Sequence, residues 1–313
     1  SNIFTFNKKI LKKTIYNLNN GDVIGLPTET VYGLGGNAYS KKSVKKIYSL
    51  KGRPKFNPLI IHYHNIAETV NDVEINDMFK KLYKKFCPGP ITFILKRKIN
   101  SKIQPIACAN LKTVAIRFPK HKIIRTLLKN ISYPLAMPSA NKSNNISPVT
   151  ARDVYEEFRK KLNIILDGGM SKIGIESTVI DLTSDIRILR PGVVNKTIIE
   201  ETLKKKIKDN NKRKKILSPG MIKKHYSPGI PVKINQKKHD GKSAFIYFGN
   251  QYKKRKNFFC LSKKSNLNEA ASNLYKIVRK IKKMGYKKIQ IGKIPNVDSG
   301  IAINDRIKRA SKF

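Results

Sequence analysis

The segment Lys51-Gly52-Arg53-Pro54-Lys55-Phe56-Asn57-Pro58-Leu59 leads directly into an apolar run, Leu59 to His62, that predicts a strand. About one helix length earlier lies a strand end punctuated by glycine and proline, Leu26 to Gly35. Fixed cations and an amide are therefore placed in a turn-rich loop. Arginine offers phosphate a planar fork and lysine a point charge, so the loop suits a polyanionic ligand. In a chain this rich in lysine, a solvated basic loop is the alternative interpretation.

Outward from this loop, helix-like and strand-like patterns alternate along the chain. Apolar residues at helical spacing predict helices over 7–18, 40–50, 74–86, 121–130 and 151–161. Short apolar runs predict strands over 23–26, 59–62, 91–96, 114–118, 135–137 and 164–166, and a hairpin over 179–182 and 186–189. The elements interleave without a simple βαβ period, which indicates an α/β domain with a mixed sheet.

A second domain is indicated by a change in composition. Residues 204–224 are dense in lysine and arginine and poor in apolar side chains. Beyond Pro231 a β-α-β-α pattern begins, with strands over 243–248 and 289–292 and helices over 267–284 and 301–312. We therefore divide the chain into a first α/β domain over 1–212, a linker or lid over 213–231, and a small Rossmann-like α/β domain over 232–313.

Charge and cysteine content narrow the class of protein. The 313 residues include 66 Lys and Arg against 20 Asp and Glu, a net charge of +46 that would attract nucleic acid, nucleotides or anionic membrane. The charge is spread over the whole chain, so it permits RNA binding without indicating it. Three distant cysteines form neither a zinc spacing nor a disulfide framework, and no run approaches the ~20 apolar residues of a membrane span. Residues 1–20 lack a signal-peptide pattern, and we expect a soluble, cytoplasmic protein.

Common catalytic motifs are absent, but two further clusters stand out, and the first of them could hold an anion. There is no Walker A loop, no G-x-G-x-x-G opening a helix and no H-E-x-x-H. Pro138-Ser139-Ala140-Asn141 follows a strand and precedes a helix, a position suited to a phosphate. Gly174 to Asp181 forms one arm of the hairpin, which closes on Arg190-Pro191-Gly192. Each cluster alone also has an ordinary structural interpretation.

Together these stretches resemble the threonylcarbamoyl-AMP synthase family, which shares the YrdC-like domain. The resemblance rests on Pro27 to Leu34, Lys51-Gly52-Arg53 with Asn57-Pro58-Leu59, Val114 to Arg117, Pro138 to Asn141, Glu176 to Asp181, and Arg190-Pro191-Gly192, in the family's order. Ser218 to Pro228 resembles the linker of the long, two-domain form, and Gly300 to Arg306 the end of its second domain.

The resemblance implies a YrdC-like mixed twisted sheet and a defined reaction. L-threonine, bicarbonate or CO2, and ATP would give threonylcarbamoyl-AMP and pyrophosphate, with Mg2+, and a downstream transferase would pass the group to adenosine 37 of tRNA to make t6A. Carried over by position, the catalytic residues would be Lys51 and Arg53. The threonine site would be Thr30, His62, Arg117, Ser177 and the backbone of Met137. The ATP site would be Lys51, Arg53, Asn57, Thr113, Ser139, Ser147, Arg190 and Tyr226.

The metal ligands are not identified by the resemblance, and the chain departs from the family at Asn144 and Val149, on either side of Ser147. Two other interpretations compete with the synthase. One is a non-catalytic module that holds double-stranded RNA or tRNA through phosphates. The other is a carbamoyltransferase of hydrogenase maturation, which would bring an acylphosphatase-like part and zinc fingers. Three scattered cysteines and the length argue against the latter.

Overall fold

A ten-stranded mixed sheet and a four-stranded parallel sheet carry the fold. The computed structural model describes residues 2–207, 226–253 and 255–312. The large sheet has the strand order β1-β8-β2-β3-β7-β4-β6-β5-β9-β10. Its strands are β1 (Ile3–Thr5), β2 (Ile24–Leu26), β3 (Gly33–Asn37), β4 (Ile60–His62), β5 (Ile91–Lys96), β6 (Thr113–Arg117), β7 (Leu135–Ala136), β8 (Ile165–Asp167), β9 (Thr178–Asp181) and β10 (Arg187–Arg190). Parallel and antiparallel pairs alternate irregularly, as expected for a mixed sheet.

Polar side chains start the helices of this domain by capping free backbone N–H groups. Asn7, Ser40 and Asn76 each accept a hydrogen bond from the first turn, and Thr150 forms a capping box with Asp153. The helices are α1 (Lys8–Asn19), α2 (Lys41–Lys51), α3 (Asp77–Phe86), α4 (Lys122–Lys129), α5 (Ala151–Phe158) and α6 (Lys196–Leu203).

Lys51 is the last residue of α2 and not part of the loop in which we expected it. Gly52 then takes a left-handed conformation, with φ of 56°, and ends the helix. Arg53 is therefore the first side chain of the loop itself.

The second domain is a two-layer structure. The strands β11 (Val232–Lys233), β12 (Ala244–Tyr247), β13 (Phe258–Cys260) and β14 (Ile289–Ile291) are all parallel, in the order β11-β14-β12-β13. The helices α7 (Leu267–Lys283) and α8 (Asp298–Ala310) share a core with Ile246 and Ile291 on one face of the sheet. Phe245 and Tyr247 alternate to the other face and pack against Tyr252 and Phe258.

The two domains share one hydrophobic cluster. It joins Val31, Ile146 and Ile175 of the first domain to Leu274 of α7 and Ile303 of α8. The first-domain core continues through Ile207. Of the linker predicted over 213–231, only residues 226–231 lie within the described part of the chain, so the lid stays a prediction. Across the described ranges, no helix is both long enough and apolar enough to cross a bilayer.

The expected α/β class with a mixed sheet is confirmed, and the differences have local causes. Strand β3 was not predicted because its sequence, Gly33 to Asn37, is mostly glycine. Strands β1, β11 and β13 have only two or three residues. Helix α6, with an apolar stripe interrupted by two glutamates, was also missed. The helix predicted over 151–161 ends at Phe158, and a 3-10 turn follows.

Two glycines test how tightly α7 packs on the first domain. Gly169 and Gly174 both have positive φ, +73° and +77°. A Cβ at Gly169 would meet nothing within 4 Å, whereas at Gly174 it would lie 2.6 Å from the Cα of Ser272 in α7. We expect Gly169→Ala to lower the free energy of unfolding by about 1–2 kcal/mol through backbone strain. Gly174→Ala should lose a further ~1–3 kcal/mol by overpacking. Urea denaturation measures both, and equal losses would contradict the close packing of α7 against Gly174.

Candidate functional site

The predicted loops converge on one cavity beside the middle of the large sheet. Seven of the residues assigned by resemblance line it: Arg53, His62, Arg117, Met137, Ser139, Arg190 and Tyr226. Its volume is about 40 Å³, which is room for a few water molecules at most. Cationic side chains from three separate parts of the chain therefore face one cavity.

The guanidinium of Arg53 is held by its own loop. Its Nε donates to the carbonyl of Asn57 (3.0 Å), and its Nη2 donates to the side-chain oxygen of Asn57 (2.5 Å) and to the carbonyl of Pro58 (2.8 Å). Asn57 is buried and outside the cavity lining, so in this structure it orients Arg53. Burial lowers the pKa of Arg53 to about 10, which leaves the group cationic at neutral pH.

Lys51 braces the loop of Ser139 and does not line the cavity. Its Nζ donates to the carbonyl of Ser139 (2.6 Å) and to that of Asn141. Burial, and then the nearby charge of Arg53, lower its pKa well below the usual range. Of the two predicted catalytic residues, only Arg53 therefore lines the cavity.

His62 and Arg117 lie side by side because β4 and β6 are parallel and their last residues pair. Arg117 donates from Nη2 to Glu29 (2.6 Å), and both side chains are buried. The Nε of Arg117 has no hydrogen-bond partner among the described residues. Burial, and then the charge of Arg117, lower the pKa of His62 well below its ordinary value, so its imidazole is neutral at pH 7. The Met137 N–H donates to the Ile60 carbonyl, so this group is engaged within the sheet.

Three predicted hydroxyls, those of Thr30, Ser147 and Ser177, lie one contact behind the lining. The hydroxyl of Thr30 lies 2.9 Å from that of Thr28, which lines the cavity and was missed from the sequence. Ser177 bonds to Thr92 (2.7 Å) and accepts from the Nη2 of Arg190 (3.1 Å).

Thr113 is not brought to the cavity. It begins β6, four residues before Arg117, which is about 13 Å in an extended strand. Its hydroxyl oxygen is buried and has no hydrogen-bond partner within the described residues.

A buried carboxylate, Glu176, forms one wall and connects the cavity to the second domain. It accepts hydrogen bonds from Ser147 Oγ (2.5 Å), Tyr275 OH (3.1 Å) and Arg306 Nε (2.9 Å). Burial alone would raise its pKa, but the charges of Arg306 and Arg190 lower it to about 2. Glu176 stood in a motif that we quoted but was given no role, since nothing in the sequence pointed to a partner 130 residues away.

Tyr226 closes the cavity from the far side. Its ring lies 5.3 Å from the Arg306 guanidinium and 6.0 Å from the ring of Tyr275. The next residue, Ser227, donates its N–H to the carbonyl of Asn144 (2.7 Å) and forms an isolated parallel bridge with Asn145. The end of the linker is thereby tied to the loop that leads from Ser139 to Ser147.

Comparison with known proteins was made for both domains. The family model named for Sua5, YciO and YrdC and described as "Telomere recombination" matches residues 16–192. The model for the threonylcarbamoyl-AMP synthase C-terminal domain matches residues 194–312. A threonylcarbamoyl-AMP synthase of Pyrococcus abyssi is 34% identical over 94% of this chain and 91% of its own length. One from Bacillus subtilis is 42% identical over 59% of this chain and 54% of its own. The crystal structure of P. abyssi Sua5 complexed with L-threonine superposes with a TM-score of 0.91 at 30% identity, covering 99% of this chain and 98% of that one.

The buried imidazole gives a pH prediction. The folded state keeps His62 neutral, while the unfolded chain takes up a proton below the ordinary pKa of 6.5. Stability is therefore lost as pH falls below 6.5, by up to about 1.4 kcal/mol per pH unit. His62→Asn should lose less than the wild type between about pH 7 and pH 5. Chemical denaturation across this range measures the slopes. At about pH 8 His62 is neutral in both the folded and the unfolded state. The difference in the free energy of unfolding between wild type and variant at that pH therefore reports the change in packing alone. Parallel curves would contradict a neutral buried imidazole.

Proposed function

Since the chain belongs to the threonylcarbamoyl-AMP synthase family in its two-domain form, we propose that it makes threonylcarbamoyl-AMP and pyrophosphate from L-threonine, bicarbonate or CO2, and ATP. The observation that carries the proposal is the convergence of Arg53, Arg117 and Arg190 on one cavity with His62 and Ser139. These side chains come from separate strands and loops. Their meeting point suits substrates that are anions or carry a carboxylate.

The proposed chemistry is a nucleotidyl transfer. The neutral amine of threonine attacks CO2 and loses a proton, or attacks bicarbonate with loss of water, and in either case gives a carbamate. A carbamate oxygen then attacks the α-phosphorus of ATP, and pyrophosphate leaves. Such a transfer depends on alignment and on stabilising negative charge, and Arg53 and Arg190 are placed for the second task. Lys51, held on the Ser139 and Asn141 carbonyls, would act by fixing the loop beneath the phosphates.

The threonine end of the cavity is assigned to Arg117 and its neighbours. One edge of this guanidinium is paired with Glu29, and its buried Nε still lacks an acceptor. A carboxylate at that position would supply the acceptor. His62 would contact the substrate as a neutral imidazole, and the Thr28–Thr30 hydroxyl pair lies beside it.

Shielding from water is the proposed role of the segment that carries Tyr226. A free carbamate and a mixed anhydride both decompose in water, so the pocket has to close over them. A cavity of about 40 Å³ is much smaller than ATP. The nucleotide would therefore enter when Tyr226 and the Ser227–Asn144 contact move away.

Mg2+ fits this site as a companion of ATP. Glu176 is the only carboxylate in the described lining of the cavity, and it is engaged by Arg306, Tyr275 and Ser147. The described residues contain no cluster of His, Cys, Asp or Glu that could hold a metal. We infer that ATP phosphates and water would hold the ion, which would neutralise phosphate charge.

The direct test is synthesis with purified protein. The chain is incubated with ATP, labelled bicarbonate and one amino acid at a time, and labelled adenylate and pyrophosphate are measured. We expect product with L-threonine and without RNA. The competing RNA-binding module predicts no adenylate, together with RNA affinity that falls steeply as salt rises. In the cell, we propose that the product feeds a transferase for t6A in tRNA.

Arg53 provides the first mutational test. Arg53→Ala removes a buried cation from the cavity and should abolish pyrophosphate release. Lys55→Ala removes an exposed cation from the same loop and should leave turnover within about twofold of the wild type. Melting curves establish that both variants are folded. Near-normal turnover in folded Arg53→Ala would refute its role.

Arg117 provides the second mutational test. Arg117→Lys keeps the charge beside Glu29 but loses the guanidinium fork. We expect the KM for threonine to rise at least tenfold, which corresponds to about 1.4 kcal/mol, while the KM for ATP changes little. Steady-state kinetics with each substrate varied in turn measures the two effects. An equal rise in both would exclude a threonine carboxylate clamp.

A further inference from the structure

Arg306 of α8 is a cation with almost no exposure to solvent. It is 1% exposed, the largest fully buried side chain in the described residues. Arg309, one turn later, is paired with Asp305 of the same helix. A buried guanidinium needs acceptors for its donors. Arg306 finds one acceptor in Asp305 of its own helix (3.0 Å) and three in the first domain.

Those first-domain acceptors adjoin Ser177 of the proposed threonine site and Arg190 of the proposed ATP site. The Nε of Arg306 donates to the Glu176 carboxylate (2.9 Å), and its Nη1 donates to the carbonyl of Pro191 (2.8 Å). Glu176 directly precedes Ser177, and Pro191 directly follows Arg190. Through this one side chain, the second domain contacts the residues just before β9 and just after β10.

Next to these two contacts of Arg306, Arg190 and Ser177 are bonded to each other. Arg190 donates from Nε to the backbone carbonyl of Ser177 (3.0 Å) and from Nη2 to its hydroxyl (3.1 Å). Ser147 is connected to the same region, because its hydroxyl donates a hydrogen bond to the carboxylate of Glu176 at 2.5 Å. Tyr275 of α7 donates to the same carboxylate at 3.1 Å. Two donors of the second domain therefore fix the carboxylate on which Ser147 depends.

We propose that Arg306 and Tyr275 are positioning residues for ATP: through Glu176 and Pro191 they set the placement of Ser147 and Arg190 at the nucleotide end of the cavity. The proposal rests on the proposed function, and it gives the second domain a part in the reaction without contact with substrate. Its consequence is selective. Disturbing the contact of Arg306 with the first domain weakens ATP binding more than threonine binding, because Ser147 and Arg190 of the proposed ATP site are both connected to it. Of the proposed threonine site only Ser177 is connected to it, whereas Arg117 and His62 are held by Glu29 and the β4–β6 pairing.

Conservative variants test this without removing the domain contact. Tyr275→Phe deletes one hydroxyl and keeps the ring beside Tyr226. Arg306→Lys keeps the charge and loses the second donor arm. Lys283→Ala is the control, because it breaks an exposed ion pair to Glu156 across the same domain boundary (2.8 Å) and touches none of these residues. We expect both conservative variants to raise the KM for ATP at least fivefold, the KM for threonine to change less than twofold, and the control to match the wild type.

Two further measurements separate positioning from a purely structural role. Calorimetry with ATP alone should give weaker binding in Tyr275→Phe, and wild-type affinity there would overturn the proposal whatever the reaction assay gives. Combining Tyr275→Phe with Ser147→Ala should give less than the product of the two single effects, since both act on Glu176. Equal losses for both substrates with a lowered melting temperature would also overturn it. Failure of the wild type to form labelled adenylate would instead overturn the proposed function.

Discussion

The ion pair between Glu176 and Arg306 is the interaction on which the arrangement of the site depends. Both groups are buried, Glu176 lies 2.9 Å from Arg306, and Arg306 also pairs with Asp305 of its own helix at 3.0 Å. An unpaired charge in this position would be strongly unfavourable, by about 3–5 kcal/mol for loss of one partner. The pair therefore requires the second domain to be docked when the cavity is complete. Ser147, Ser177 and Arg190 take their places around it.

Much of the first domain could be predicted because its helices and strands follow local rules. Caps such as Ser40 and Thr150, and apolar periodicity, indicated most of the helices. The motif order indicated the loops that converge on the cavity, and seven assigned residues do line it. Local rules fail for β3, where glycines carry no hydrophobic pattern, and for the short strands β1, β11 and β13, which only pairing stabilises.

Contacts between distant residues were beyond the sequence. Nothing near Lys51 shows that its ammonium is used by two backbone carbonyls almost ninety residues along the chain. Nothing near Arg117 shows that Glu29 is its partner. The role of Asn57 was assigned to ATP, whereas in the structure it accepts from Arg53. A motif identifies which residues matter to a site, but only the packed chain separates those that face the cavity from those that hold them.

Arg53 and Arg190 are already dehydrated by folding, since each is buried and bonded to carbonyl oxygens of its own chain. An incoming anion does not have to strip water from them or freeze their side-chain rotation. Ions in bulk solution screen such groups much less than they screen the many lysines of the exterior. The attraction of this cavity for its ligand is accordingly less sensitive to ionic strength than that of the exposed lysines, which contribute most of the net charge of +46.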